Sequence, residues 1–182
     1  MLYQIRQFLT GSFLVLFLFA VAGCSAGEED VNNELNNYKF DQQVIANLPL
    51  YDSLVAAIIE NFPSFQKYIR DEDSYRSFRY MPFSTDDPDV FIKLPPAAAP
   101  KIDPYYTRLG KDLIHGFDIF KDSSIKIYVK TRFSSKSEVD IWENLSYYPA
   151  GNFRHREFPE KDTMLNKNWQ YWARFSKRGL FD

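Results

Sequence analysis

The side chains with the most distinctive chemistry in this 182-residue chain are one cysteine and two histidines. Cys24 is the only thiol, so neither an intramolecular disulfide nor a cysteine-based metal cluster is expected. His115 alternates with apolar residues, which indicates a histidine in a core or at a sheet edge. His155 lies in a run of charged residues, and neither histidine has the neighbours of a hydrolytic triad. The sequence therefore predicts no nucleophile–base pair.

Other catalytic and metal-binding patterns are equally weak. The chain has no glycine-rich nucleotide-binding loop and no Gly-x-Ser-x-Gly nucleophile motif. Glu138 with Asp140 and Glu157 with Glu160 form nominal carboxylate pairs, but 24 acidic residues produce such pairs by chance. The segment Asp86-Asp87-Pro88-Asp89 lacks the glycine and distal glutamate of a calcium-binding EF-hand loop, and a turn is expected. We expect no catalytic residue, no cofactor and no bound metal.

Cys24 directly follows an apolar run and two small residues, and this spacing could place its thiol beside a cleavage site. Arg6 precedes the apolar residues 13–21, which is the plan of a signal peptide. The run ends in Val21-Ala22-Gly23-Cys24, which resembles the lipobox of bacterial lipoproteins. The resemblance implies cleavage between Gly23 and Cys24, lipid transfer to the thiol, and acylation of the new amine by a fatty acid such as palmitate. Two or more chains would then hold the protein stably on membrane lipid.

Two alternatives to the lipobox remain open. The apolar run could belong to an ordinary signal peptide in which Cys24 is accidental. Counted back to Phe8, it could also form an uncleaved membrane anchor, although it is short for a spanning helix. We favour the lipobox because the apolar run, the small residues and the sole cysteine fall in register.

The residues after Cys24 bear on location. In many two-membrane bacteria, lipoproteins without an aspartate directly after the cysteine go to the outer membrane, and in others an acidic cluster just downstream resembles a surface-export signal. Ser25 and the Glu28-Glu29-Asp30 cluster fit these two patterns. The resemblance therefore implies a lipid-anchored protein of the cell envelope, in the outer membrane rather than the inner, on its periplasmic or its surface face.

Composition and length indicate a folded mature chain. Hydrophobic residues make up 45% and aromatic residues 18%, enough apolar surface to offset chain entropy. The formal charge of −2 with mixed signs gives no basic field for nucleic acid, so nucleic acid is not an expected partner. The predicted organisation is a signal peptide at 1–23, a lipidated cysteine and flexible tether at 24–47, and a single domain at 48–182.

The first part of the predicted domain has helical spacing. From Leu48 apolar residues recur every three or four positions, which predicts a helix with Asp52 or Ser53 as its N-cap. Pro63 predicts a break just before it, with a second helix following. Six prolines lie in residues 81–104, and this density predicts a long connection without a regular helix.

The second part alternates with a period of two and predicts four strands. These strands lie in residues 113–119, 125–133, 139–144 and 169–175. In the second strand, cationic and tyrosine side chains alternate with apolar ones, which predicts a sheet with one wet face. A regular hairpin places Arg132 opposite Asp140. The same register places Lys130 opposite Trp142, at a distance suited to a cation–π contact.

Helices followed by strands predict an α+β fold. In this plan the N-terminal helices pack on a C-terminal antiparallel sheet of about four to five strands. Cystatin-like and nuclear-transport-factor-like folds share the plan, and the analogy carries no function.

The functional prediction rests on aromatic residues of the last third of the chain. Trp142, Trp172 and Arg174 occupy polar-face positions of their strands, which predicts an exposed binding surface. We therefore expect a non-catalytic binding or assembly protein whose partner is an envelope protein or glycan. Two alternatives stay open: an envelope hydrolase that uses carboxylates in a helix–sheet cleft, and an inhibitor or immunity-type protein that binds one cognate enzyme.

Overall fold

The computed structural model describes residues 29–69, 78–82, 91–150 and 161–177. The helices of this part of the chain are α1 (residues 29–37), α2 (Gln42–Ala46), α3 (Leu48–Glu60), α4 (Phe62–Gln66) and α5 (Ala99–Leu109). Its strands are β1 (Phe78–Tyr80), β2 (Gly116–Ile119), β3 (Ile125–Ser134), β4 (Val139–Tyr147), β5 (Lys161–Met164) and β6 (Trp169–Lys177). The predicted α+β class is confirmed, and the sheet has six strands rather than four to five.

The chain contacts divide into two compact units, where the sequence predicts one domain. The smaller unit contains residues 29–38, 133–140 and 175–177 of the described chain. The larger unit contains the described residues between Lys39 and Arg132 and between Ile141 and Arg174.

The six strands form one antiparallel sheet in the order β1-β2-β3-β4-β6-β5. Phe117 of β2 lies opposite Ile127 of β3 and Tyr80 of β1. Gly116 is required at the start of β2, because a Cβ there would lie 2.3 Å from the carbonyl oxygen of Tyr80. Only a residue without a side chain allows the two strands to approach this closely.

The two short strands were absent from the sequence prediction. β1 has three residues and β5 has four, which is too short for an alternating pattern to stand out. Thr163 of β5 pairs with Tyr171 of β6, so β6 lies between β4 and β5.

α3 begins at Leu48, as the sequence predicts, but its cap differs. The N-cap is Asn47, and the prediction of Asp52 or Ser53 is wrong. Pro49 occupies the first turn, where a backbone N–H would have no acceptor within the helix, so proline is tolerated there. The helix therefore starts several residues before the predicted caps.

The break at Pro63 is confirmed. α3 ends at Glu60, and α4 starts at Phe62 with Pro63 in its first turn. The apolar stripe of these helices faces the core of the larger unit. Its fully or nearly fully buried members are Tyr51, Leu54, Val55, Ile58 and Phe65.

The predicted connection over residues 81–104 ends earlier than expected, because α5 starts at Ala99. Pro100 lies in the first turn, where proline is well tolerated. Pro104 lies inside the helix, where the ring removes one hydrogen bond, normally at a cost of about 3 kcal/mol. Burial on one face of α5 opposes that cost. The side chains buried there are Ile102, Tyr106 and Leu109.

The predicted flexible tether at 24–47 contains helices. Residues 29–37 are helical, and α2 follows at Gln42 with Asp41 as its N-cap. Val44 of α2 is fully buried in the core. The Asn-rich composition of this stretch has low intrinsic helix propensity, so the local pattern does not predict these helices.

Candidate functional site

The sheet of the larger unit has two faces that carry different groups. Tyr147 and Trp169 lie ring to ring, and Trp169 also contacts Tyr51 of α3. We call the side of the sheet that these residues occupy the helix face. Trp172 donates from Nε1 to Ser146 Oγ at 2.8 Å on the opposite side, which we call the outer face.

A carboxylate is buried on the helix face. The side chain of Glu143 is fully buried, and it forms an ion pair with the guanidinium of Arg132. The hydroxyl of Tyr171 donates a hydrogen bond to the same carboxylate. The ring of Phe40 lies 4.7 Å from that of Tyr171. Glu143 is therefore a buried charge with a cation and a phenol as partners, as buried charges require.

A second ion pair joins β3 to the start of α2. The ammonium of Lys130 contacts the carboxylate of Asp41, which also accepts the backbone N–H of Gln43 at 2.7 Å. The hydrogen bond from Lys130 lowers the pKa of Asp41 against the opposing effect of burial. Asp41 therefore caps α2 and holds it to β3 as a single ionised group.

These two contacts differ from those predicted for the hairpin. The hairpin register predicted from the sequence places Lys130 opposite the Trp142 ring and Arg132 opposite Asp140. In the structure Lys130 reaches Asp41 and Arg132 reaches Glu143. For Lys130, the carboxylate of Asp41 is a stronger electrostatic partner than an aromatic ring.

A carboxylate on the outer face is almost completely buried as well. Asp118 of β2 accepts Nε of Arg79 at 3.0 Å and Nη2 at 3.3 Å, a bidentate arrangement. The hydroxyl of Tyr128 donates at 2.7 Å to Oδ2, the oxygen that also accepts Nη2 of Arg79. The ammonium of Lys126 lies 4.7 Å from the centre of the Tyr128 ring and 5.0 Å from the centre of the Trp172 ring. These groups form a continuous polar layer across the central strands.

The outer face is consequently not the wet surface that the sequence predicts. Lys126 and Trp172 are buried, and Trp172 is only 5% exposed, so the prediction that it is an exposed contact residue is wrong. Gln170 is buried too and donates to Asp162 at 2.7 Å. The long amphipathic side chains of this face cover one another with their apolar stems.

Trp142 and Arg174 are the members of the predicted binding surface that reach solvent. Trp142 is 37% exposed and Arg174 is exposed. By alternation, Trp142 shares a face with Ser146 and Arg174 shares a face with Trp172. Because Ser146 and Trp172 are hydrogen-bonded, the two exposed residues lie on the same outer face of neighbouring strands.

The remaining candidates carry no recognisable chemistry where the structure describes them. His115 is half-buried, and its backbone N–H donates to the carbonyl of Tyr128 at 2.8 Å. Glu138 is exposed in a turn with φ of 54°, and Asp140 is half-buried. The described residues hold no group of three or more potential metal ligands among His, Cys, Asp and Glu.

Several predicted positions lie outside the described residues. They are Gly23, Cys24, His155, Glu157, Glu160 and the acidic cluster at residues 86–89. Within residues 29–69, 78–82, 91–150 and 161–177, no helix combines the length and the apolar composition that crossing a bilayer requires.

Sequence reasoning missed the two buried carboxylates, although a signal was present for Glu143. Glu143 occupies a position in the apolar series Val139, Ile141 and Leu145. Asp118 alternates with the core residues of β2, so the local pattern does not predict its burial. A charged residue at a core-facing position predicts a buried ion pair, because an unpaired charge there would be too costly. Both are ion-paired and hydrogen-bonded, the arrangement of structural charges.

Comparison of the chain with protein-family models, with curated proteins and with solved structures finds no match in any of the three.

Proposed function

We propose that this protein is a lipid-anchored component of the bacterial cell envelope whose folded part binds a partner and performs no catalysis. The observation that carries the anchor is the register of an apolar run, the small residues Ala22 and Gly23, and the sole cysteine, Cys24. A thiol at that position is the nucleophile that accepts a diacylglyceryl group in proteins with a lipobox. Acyl chains then supply membrane affinity without a spanning helix.

The binding role is supported by the exposed part of the outer face. Tryptophan, arginine and tyrosine are the residue types most enriched in the energetic centres of interfaces. Trp142 and Arg174 belong to two of these types. On the same face Trp172 and Lys126 are buried against each other, which stabilises the strands that carry the two exposed residues. We propose an envelope protein as the partner, and a glycan is the alternative that the capture experiment below distinguishes.

Replacing Cys24 with Ser is expected to abolish lipid labelling and membrane retention. A serine hydroxyl is a much weaker nucleophile than a thiolate, so no lipid is attached. The full chain is expressed in a lipoprotein-processing bacterium with a clickable fatty acid, and label and membrane fraction are measured. Val21→Leu keeps an aliphatic residue at that position and is the matched control. Label and retention that persist in the Cys24→Ser variant would contradict the anchor.

Replacing Trp142 or Arg174 with Ala is expected to weaken partner capture about tenfold or more, because truncating an energetic centre costs about 2 kcal/mol. Capture is measured by crosslinking in intact cells and identification of what co-purifies with the anchored protein. Met164→Ala, at another exposed apolar residue, is the control and should leave capture unchanged. Equal capture by all three variants would remove Trp142 and Arg174 from the binding surface.

A further inference from the structure

The β3–β4 hairpin loop is fastened to the first helix of the described chain. Ser134 Oγ and Ser137 Oγ both lie 2.6 Å from Oε1 of Glu34 in α1. Lys177 at the end of β6 forms an ion pair with Asp30 at 2.7 Å. These contacts belong to the smaller unit, and they hold α1 and the hairpin loop as one body.

That body begins very close in sequence to the proposed lipid anchor. Five peptide units separate Cys24 from residue 29, and a fully extended chain of that length spans at most about 18 Å. Glu34 lies five residues further along α1, which adds about 7.5 Å of helix. Glu34 and the hairpin residues that it holds are therefore confined to a layer of about 26 Å above the lipid anchor whenever Cys24 is lipidated.

The hairpin loop offers the side chains that suit this layer. The ring of Phe133 is 46% exposed, and Lys136 is exposed at the loop tip. An aromatic ring beside a flexible ammonium is favourable at a membrane interface, where the ring meets acyl chains and the ammonium meets phosphate. Both residues belong to the same compact unit as α1.

We propose that the Phe133–Lys136 edge of the hairpin rests on the bilayer surface and acts as a second, non-covalent membrane contact beside the lipid on Cys24. The inference rests on the proposed function, because the lipid supplies the confinement. The described part of the smaller unit carries five acidic and two basic side chains. An acidic body is repelled by anionic lipid, so the contact favours a zwitterionic surface.

The experiment uses the mature lipidated protein in vesicles of phosphatidylethanolamine and phosphatidylcholine. Cys24 is the only native cysteine, and lipid on its sulfur leaves the thiol introduced by Phe133→Cys as the only reactive one. That thiol is labelled with a polarity-sensitive fluorophore, and the vesicles carry nitroxide quenchers in the acyl chains. We expect a blue-shifted emission that loses most of its intensity to the quencher.

A label at Ile92→Cys is the matched control, because Ile92 is an exposed apolar residue of the larger unit. Its emission reports whether an exposed apolar residue adsorbs to the vesicles without a specific contact. Unquenched emission from the label at position 133 would overturn the membrane contact and leave the anchor intact. Equal quenching at both positions would indicate non-specific adsorption and would also overturn the membrane contact. If Phe133→Cys does not fold, Lys136→Cys reports on the same edge with the same criteria.

The same preparation separates a failed anchor from a failed contact. If Cys24 carries no lipid, the variant takes up two fluorophores per chain rather than one. That stoichiometry would refute the proposed function, and the membrane contact would fall with it. One fluorophore per chain with no quenching refutes only the contact.

Discussion

Replacing Trp169 with Ala is expected to lower the free energy of unfolding by about 3–5 kcal/mol. The side chain is only 1% exposed, and its ring contacts Tyr51 and Tyr147 at centroid distances of 6.4 Å and 5.1 Å. Its Nε1 also donates to Asp52 at 2.6 Å, which ties β6 to α3. Alanine would leave a cavity where the helices meet the sheet and remove that link.

The free energy of unfolding of the mature domain is measured by urea titration, with circular dichroism as the signal. A loss of this size is a large fraction of the stability of an ordinary domain, so Trp169→Phe provides a milder companion. It keeps most of the buried ring but lacks the N–H donor, and we expect a loss of about 1–2 kcal/mol. Trp142→Ala should lower stability clearly less than Trp169→Ala, because Trp142 is already 37% exposed. Similar losses at positions 142 and 169 would contradict the assigned core.

Replacing Arg132 with Met is expected to cost about 2–3 kcal/mol, because it leaves the buried Glu143 carboxylate without its cation. Removing one partner of a buried pair typically costs about 3–5 kcal/mol, and we expect less here because 41% of the Arg132 side chain is exposed. The hydroxyl of Tyr171 remains as a donor but carries no compensating charge.

A double-mutant cycle separates the charge effect from lost packing. In the Glu143→Leu background Arg132 has no buried Glu143 carboxylate to neutralise, so Arg132→Met should cost much less than in the native chain. Lys130→Met is the matched single control, and it breaks an ion pair whose partners are both partly exposed. Strictly additive costs in the cycle would show that Arg132 and Glu143 do not interact.

The local parts of the fold were accessible from the sequence. The helix starting at Leu48, the break at Pro63, and the strands around Phe117 and Ile127 were all predicted and are confirmed. Each depends on residues within a few positions of one another, through the 3.6-residue period of a helix, the two-residue period of a strand, or the missing N–H of proline. The α+β class follows from the order of these elements.

Other features depend on contacts that no local pattern records. α1 is held by Glu34, which bonds Ser134 from 100 positions away, and α5 is helical through Pro104 because its other face is buried. Trp172 occupies a polar-face position, yet Ser146 and Lys126 enclose it. The alternation along β6 places Trp172 on the outer face, but it does not state what covers that face.

The sequence by itself therefore determined the helix that starts at Leu48, its break at Pro63, the four predicted strands, the α+β class, and the thiol whose spacing suggests a lipid anchor. The tertiary structure alone decided which polar side chains are buried, which charges are paired, and that Trp142 and Arg174 are the exposed members of the predicted surface. The physical reason is distance along the chain. Asp41 and Lys130 are 89 positions apart and Asp52 and Trp169 are 117 apart, so their pairing is a property of packing in three dimensions.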